Sequence, residues 1–148
     1  MGRAGQIGVT GMIGVVLISH GGMAEGMVSS GEMLYPNFSQ VECLPLWPAD
    51  NPDEFQEKLE GKIKSVDTGG GVIILTDLMG GAPCNRALYS LSSNVRMLAG
   101  MNLPMLLALL AAREQTEDLD EIATLVLEEA HAGTLDVNEA LRKRGIIP

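Results

Sequence analysis

Aromatic side chains are scarce in this sequence, with one Trp, two Tyr and two Phe among 148 residues, so the core must be filled by Leu, Val, Ile, Ala and Met. Side chains of that kind suit helices packed closely on a sheet. Basic residues are outnumbered: 10 Lys and Arg stand against 19 Asp and Glu, a net charge of -9. Nonspecific nucleic-acid binding is therefore not expected, because backbone phosphates attract Lys and Arg. A basic protein partner is favoured instead. Cys43 and Cys84 make neither a disulfide framework nor a zinc pattern and read as small hydrophobes, which fits a reducing, cytoplasmic compartment. Long apolar runs are missing too. The most apolar stretch, Leu103 to Ala112, is well short of the roughly 20 residues of a membrane helix, so it reads as a buried helix and no direct membrane insertion is expected. Residues 1–11 lack a secretory core and cleavage site and are expected to form a flexible extension. One domain over 12–148 follows, a length that allows a single sizeable core. There is no internal repeat and no low-complexity segment.

What is present is a regular alternation. Met12 to Ile18 is a short β-branched run typical of a strand buried on both faces, and it leads through Ser19-His20-Gly21-Gly22 into a helical pattern from Met23 to about Leu34. Val41 to Leu46 is a second strand candidate. Asn51-Pro52-Asp53-Glu54 supplies a helix start, with Asn as cap and Pro at the first helical position, and Phe55, Leu59, Ile63 and Val66 form its buried stripe. Val72 to Thr76 is the clearest buried strand and ends in Asp77. The loop Leu78-Met79-Gly80-Gly81-Ala82-Pro83 leads to a helix from about Cys84 to Leu91. Val95 to Ala99 is a fourth strand, followed by the apolar helix and by a last regular stripe, Leu119 to Ala130, that Gly133 stops. Thr134 to Arg144 reads as a short strand, although its pattern does not exclude helix. Strands alternating with helices indicate an α/β domain: an open, mainly parallel sheet with helices on both faces.

In such sheets ligands bind beyond the carboxyl ends of the strands, where strand order reverses. With the common order 2-1-3-4 that point lies between strands one and three, so His20 and Asp77 meet across the crevice. A carboxylate beside an imidazole fixes its tautomer and leaves the other nitrogen's lone pair facing outward, which makes a nucleophile. Gly21, Gly22, Gly80 and Gly81 let backbone N–H groups approach an anion, and helix starts after His20 and Pro83 add partial positive charge. That constellation suits a phosphoryl group. Bland readings compete: strand-end Asp residues often cap turns, and neither glycine loop matches a Walker loop or a dinucleotide fingerprint. His131 reads as a surface or C-capping residue, Cys84 as core, and Met23, Met27 and Met79 as core or as an apolar rim for partners.

Three segments carry a resemblance: Ile13 to Gly26, Gly71 to Asn85 and Ala99 to Leu106. In order and spacing they resemble the signature segments of the mannose-class phosphotransferase-system IIA family, over almost all of Met12 to Arg144. The resemblance implies that His20 accepts a phosphoryl group from the phosphocarrier HPr and passes it to a IIB subunit, and that Asp77 orients the imidazole. It further implies a homodimer in which a C-terminal strand crosses to the partner's sheet, association with membrane IIC and IID subunits, and no cofactor, since the phosphoryl donor is itself a protein. Because the sequence ends soon after the last segment, the IIB partner is expected on a separate chain. One departure stands out: where many members have Ser or Thr before the proline of the third-strand loop, this sequence has Ala82, so a hydroxyl that would bond the phosphoryl group is missing.

Two other functions remain open on sequence grounds. The phosphocarrier subunit of a dihydroxyacetone kinase is similar to this family, and a regulatory module read out by its phosphorylation state would need the same residues. A small hydrolase built on Cys84 or His20 lacks a convincing general-base pair.

Overall fold

The strand β1, Gly14–His20, runs through the centre of the molecule with six of its seven residues buried. Its side chains divide by alternation: Val15 and Leu17 join one apolar cluster, Val16 and Ile18 the other, which is why the run is apolar without a break. The computed structural model describes residues 11–148. The extension expected over residues 1–11 lies, apart from Gly11, outside the described residues.

Three further strands complete the sheet: β2, Val41–Leu46, β3, Val72–Thr76, and β4, Val95–Ala99, all parallel, in the order β2-β1-β3-β4. The expected order 2-1-3-4 is thus observed. Pro45 sits inside β2 without breaking the ladder because β2 is an edge strand, where a missing N–H is tolerated.

Both faces are covered. Helices α1, Met23–Leu34, α4, Leu103–Ala112, and α5, Leu119–Ala132, bury Ala24, Leu106, Leu109, Ile122 and Val126 against Val15, Leu17, Ile73 and Leu75. On the other face α2, Pro52–Val66, and α3, Ala82–Ala87, set Phe55, Leu59, Ile63 and Ala87 against Val16, Ile18 and Ile74. Each fully buried Leu, Ile or Val contributes roughly 1.5–3 kcal/mol. Caps fix where the helices begin: the Asn51 side chain accepts from Asp53 and Glu54 N–H, and Asp118 from Asp120 and Glu121 N–H.

Three boundaries differ from expectation. β1 starts and ends two residues later than its apolar run, because Leu46 pairs with His20 and extends the ladder to it. The helix expected from Cys84 begins at Ala82 and ends at Ala87, followed by a single 3-10 turn, Leu88–Ser90; Pro83 falls in the first turn, where its missing N–H costs nothing. The larger correction is at the C-terminal end. The expected strand over Thr134 to Arg144, read as an exchanged strand, is instead a helix, α6, Val137–Lys143. Asp136 caps it by accepting from Glu139 N–H, and Glu139 faces Arg142 and Lys143 one turn on. These local contacts decide for the helix that the pattern of the segment had left open.

Candidate functional site

The sheet order places the carboxyl ends of β1 and β3 side by side, and His20 and Asp77 occupy them. One carboxylate oxygen, Oδ2 of Asp77, accepts two hydrogen bonds from His20, from the backbone N–H and from ring Nδ1, each at 2.8 Å. The other oxygen accepts from the N–H of Leu78 at 2.8 Å, with the Thr76 hydroxyl at 3.4 Å. An ionised carboxylate only accepts, so Nδ1 carries the ring proton and Nε2 keeps its lone pair. Burial pushes the Asp77 carboxyl up, but the backbone and ring hydrogen bonds from His20 outweigh it and hold the group below its ordinary value. The exposures match that division of labour: the Asp77 side chain is 11% exposed and the His20 side chain 51%. The imidazole is held from behind and open in front.

Gly81 explains how the ring fits. A Cβ on that residue would stand 2.5 Å from His20 Cε1 and 3.1 Å from Nε2, so only glycine leaves room for the imidazole over the β3–α3 loop. Gly21 takes φ +54° and Gly80 φ +85°, turns that L side chains rarely adopt.

The expected phosphoryl donors are not equivalent. The Gly21 N–H already donates to Leu46 O at 2.9 Å, so it builds the turn and offers no free donor. The Gly81 N–H is engaged with Leu78 O at 3.3 Å. Gly22, Gly80 and Ala82 keep N–H groups with no acceptor among the described residues. Ala82 lines, with His20 and Gly21, an open cavity of about 620 Å³. Neither Ala82 nor Pro83 supplies a hydroxyl.

Other candidates fall outside the site. His131 is exposed in the last turn of α5. Cys84 is core, 3% exposed, and Met27 packs on the core, whereas Met23 and Met79 are exposed. Among the described residues no group of three His, Cys, Asp or Glu side chains is placed to hold a metal, and no helix is long and apolar enough to cross a membrane.

Two residues of the site escaped the sequence reading. Ser19, fully buried, donates from its hydroxyl to Gly21 O at 3.0 Å and accepts from Ala24 N–H at 2.8 Å. It thereby caps α1, whose own N-cap, Gly22, has no side chain to do so. A Ser shortly before a helix that opens on glycine was the available signal. Trp47, the only tryptophan, follows β2 and covers the turn after His20: its ring carbons lie 3.4 and 3.6 Å from where Cβ atoms on Gly21 and Gly22 would stand.

Residues 14–127 match the family described as the PTS system fructose IIA component. The chain is 32% identical to the PTS system mannose-specific EIIAB component of Escherichia coli (strain K12) over 82% of its own length and 38% of that protein's, so it spans little over a third of this relative. It is 30% identical to the PTS system fructose-specific EIIA component of Bacillus subtilis (strain 168), over 70% of this chain and 72% of that one. Among solved structures, the PTS IIA protein associated with the fucose utilization operon of Streptococcus pneumoniae superposes with a TM-score of 0.78 at 30% identity, covering 88% of this chain and 96% of the other.

Proposed function

Since the chain belongs to the mannose/fructose IIA family of the sugar phosphotransferase system, we propose that it is a phosphocarrier which accepts a phosphoryl group from phospho-HPr on His20 and donates it to a IIB protein. The observation that carries this reading is the 2.8 Å hydrogen bond from His20 Nδ1 to Asp77, which leaves Nε2 as a free nucleophile on the solvent side. In the forward step the Nε2 lone pair attacks phosphorus while the bond between phosphorus and the donor's own atom breaks and its electron pair stays with the donor. No proton leaves Nε2, and Nδ1 keeps its proton, hydrogen-bonded to the Asp77 carboxylate. The ring becomes more cationic as the new bond forms, and the adjacent carboxylate stabilises that charge. The free N–H groups of Gly22, Gly80 and Ala82 are the proposed donors to the phosphoryl oxygens.

The remaining features of this reading are proposals of the same standing. A cytoplasmic location and association with membrane IIC and IID subunits follow from the proposed role. A homodimer is supported by an apolar groove of about 550 Å³ between α4 and α5, bordered by Leu107, Ala108 and Leu125, and by exposed Leu135, Val137 and Ile146.

The test is incubation with enzyme I, HPr and phosphoenolpyruvate, then mapping of the label. Label is expected on His20 alone, stable in alkali and lost in mild acid as a phosphorus–nitrogen bond requires. His20→Ala should stay folded and unlabelled. Acid-stable label, or label that persists in His20→Ala and disappears in His131→Ala, would sink the proposal.

A further inference from the structure

The cavity beside His20 is far larger than a phosphoryl group needs. It encloses about 620 Å³, and most of its wall is apolar: Leu46, Trp47, Pro48, Pro52 and Ala82. His20 itself lines it, so whatever fills it lies beside the imidazole. Trp47 is 48% exposed, a large cost in apolar surface left to water unless something covers it. The loop that carries it is held in place: Trp47 N–H donates to Asp50 Oδ2 at 2.8 Å, and Asp50 N–H donates to Trp47 O at 3.0 Å. The seat is thus preformed.

We propose that Trp47 walls a docking seat for the protein that brings the phosphoryl group to His20, and that this donor inserts an apolar side chain there next to its phosphorylated residue. This rests on the phosphocarrier reading above and adds to it the residue that selects the partner. Two observations specify the occupant. The cavity is continuous with the proposed site of transfer, so a donor close enough to react must cover it. The one carboxylate in its wall is Asp50, and Glu54 is exposed at the start of α2, while Asp53 beside Pro52 is already paired with Arg86 at 2.9 Å; on a chain of net charge -9, a partner presenting an apolar knob flanked by basic residues is complementary to this surface. Half-exposed tryptophans in preformed hollows are the side chains on which interface energy concentrates.

The experiment compares two donors on the wild type and on Trp47→Ala, Trp47→Gln and Trp47→Phe. One donor is phospho-HPr; the other is phosphoramidate, which is too small to need the seat. Truncating Trp47 should raise KM for phospho-HPr about tenfold or more, and the loss in kcat/KM with phospho-HPr should exceed that with phosphoramidate by a similar factor. Trp47→Phe should recover most of it. Equal losses with both donors would mean that the indole only buttresses the Gly21–Gly22 turn, and would overturn the seat while leaving His20 as the phosphorylated residue. Because Trp47 is the sole tryptophan, its fluorescence should change on adding a tryptophan-free HPr and stay constant with free hexoses. A response to hexoses and none to HPr would identify a small-molecule pocket and refute the proposal. If neither donor labels wild-type His20, the phosphocarrier reading itself fails and takes the seat with it.

Discussion

Gly81 and His20 approach so closely that a single methyl group on Gly81 would lie 2.5 Å from Cε1 of the imidazole. The backbone of Gly81 is extended, with φ -77°, so alanine is allowed there and the conflict is with the ring alone. The half-exposed ring yields by swinging into solvent and losing its bond to Asp77. Gly81→Ala should therefore unfold within a few degrees of the wild type while its phosphorylation slows about a hundredfold, as for a lost orienting contact. Wild-type labelling rates would show that the ring reacts from another position.

Asp77→Asn preserves shape but offers an amide that can donate, so the ring is free to present the wrong nitrogen. Phosphorylation should fall by about a hundredfold or more. The pH dependence follows from the lowered Asp77 value. A group whose folded value lies below its unfolded one stabilises the fold above the ordinary carboxylate range and loses that contribution as pH falls through the folded value. Acid melting should thus be steeper in the wild type than in Asp77→Asn, measured by circular dichroism between about pH 6 and 2. Parallel curves would make Asp77 energetically silent in the fold.

Ala82→Ser restores a hydroxyl to the cavity wall beside His20. One added hydrogen bond of about 0.5–1.5 kcal/mol corresponds to a twofold to tenfold change. The phosphorylated form should live that much longer, read by the decay of the acid-labile label. An unchanged lifetime would show that residue 82 does not reach the phosphoryl group.

Arg113, 2% exposed, donates to the carbonyls of Ile13 at 3.0 Å, Gln40 at 3.3 Å and Ser39. It ties the end of α4 to the amino-terminal side of the sheet. Arg113→Met fills the space but strands those carbonyls, and should cost about 2–5 kcal/mol in urea unfolding with little effect on His20 labelling of the folded fraction. A loss below 1 kcal/mol would mean that water replaces the guanidinium.

The groove between α4 and α5 gives the proposed homodimer its own test. Leu125 is 42% exposed at its edge, so Leu125→Glu should leave the monomer fold intact and halve the mass measured in solution. A wild type that is already monomeric would refute the homodimer, and a variant that remains dimeric would move the interface elsewhere.

The sequence by itself determined the layered α/β architecture, because buried strands and amphipathic helices differ in apolar period and those periods are written in β1, β3, α2 and α5. It also marked His20 and Asp77, since both stand where an apolar strand run gives way to glycine. It did not settle Thr134 to Arg144, whose pattern left strand and helix both open; the Asp136 cap and the Glu139 pairs decide for helix only once the segment folds. The assignment of donors was equally hidden. Whether the Gly21 N–H is free depends on Leu46, which reaches it only through the parallel register of β1 and β2. The need for glycine at 81 arises from a ring 61 residues earlier in the chain, and the covering of the Gly21–Gly22 turn by Trp47 from a neighbouring strand. Tertiary structure alone decided these, because steric exclusion and hydrogen-bond occupancy are properties of atoms brought together in space, and spacing along a chain does not record them.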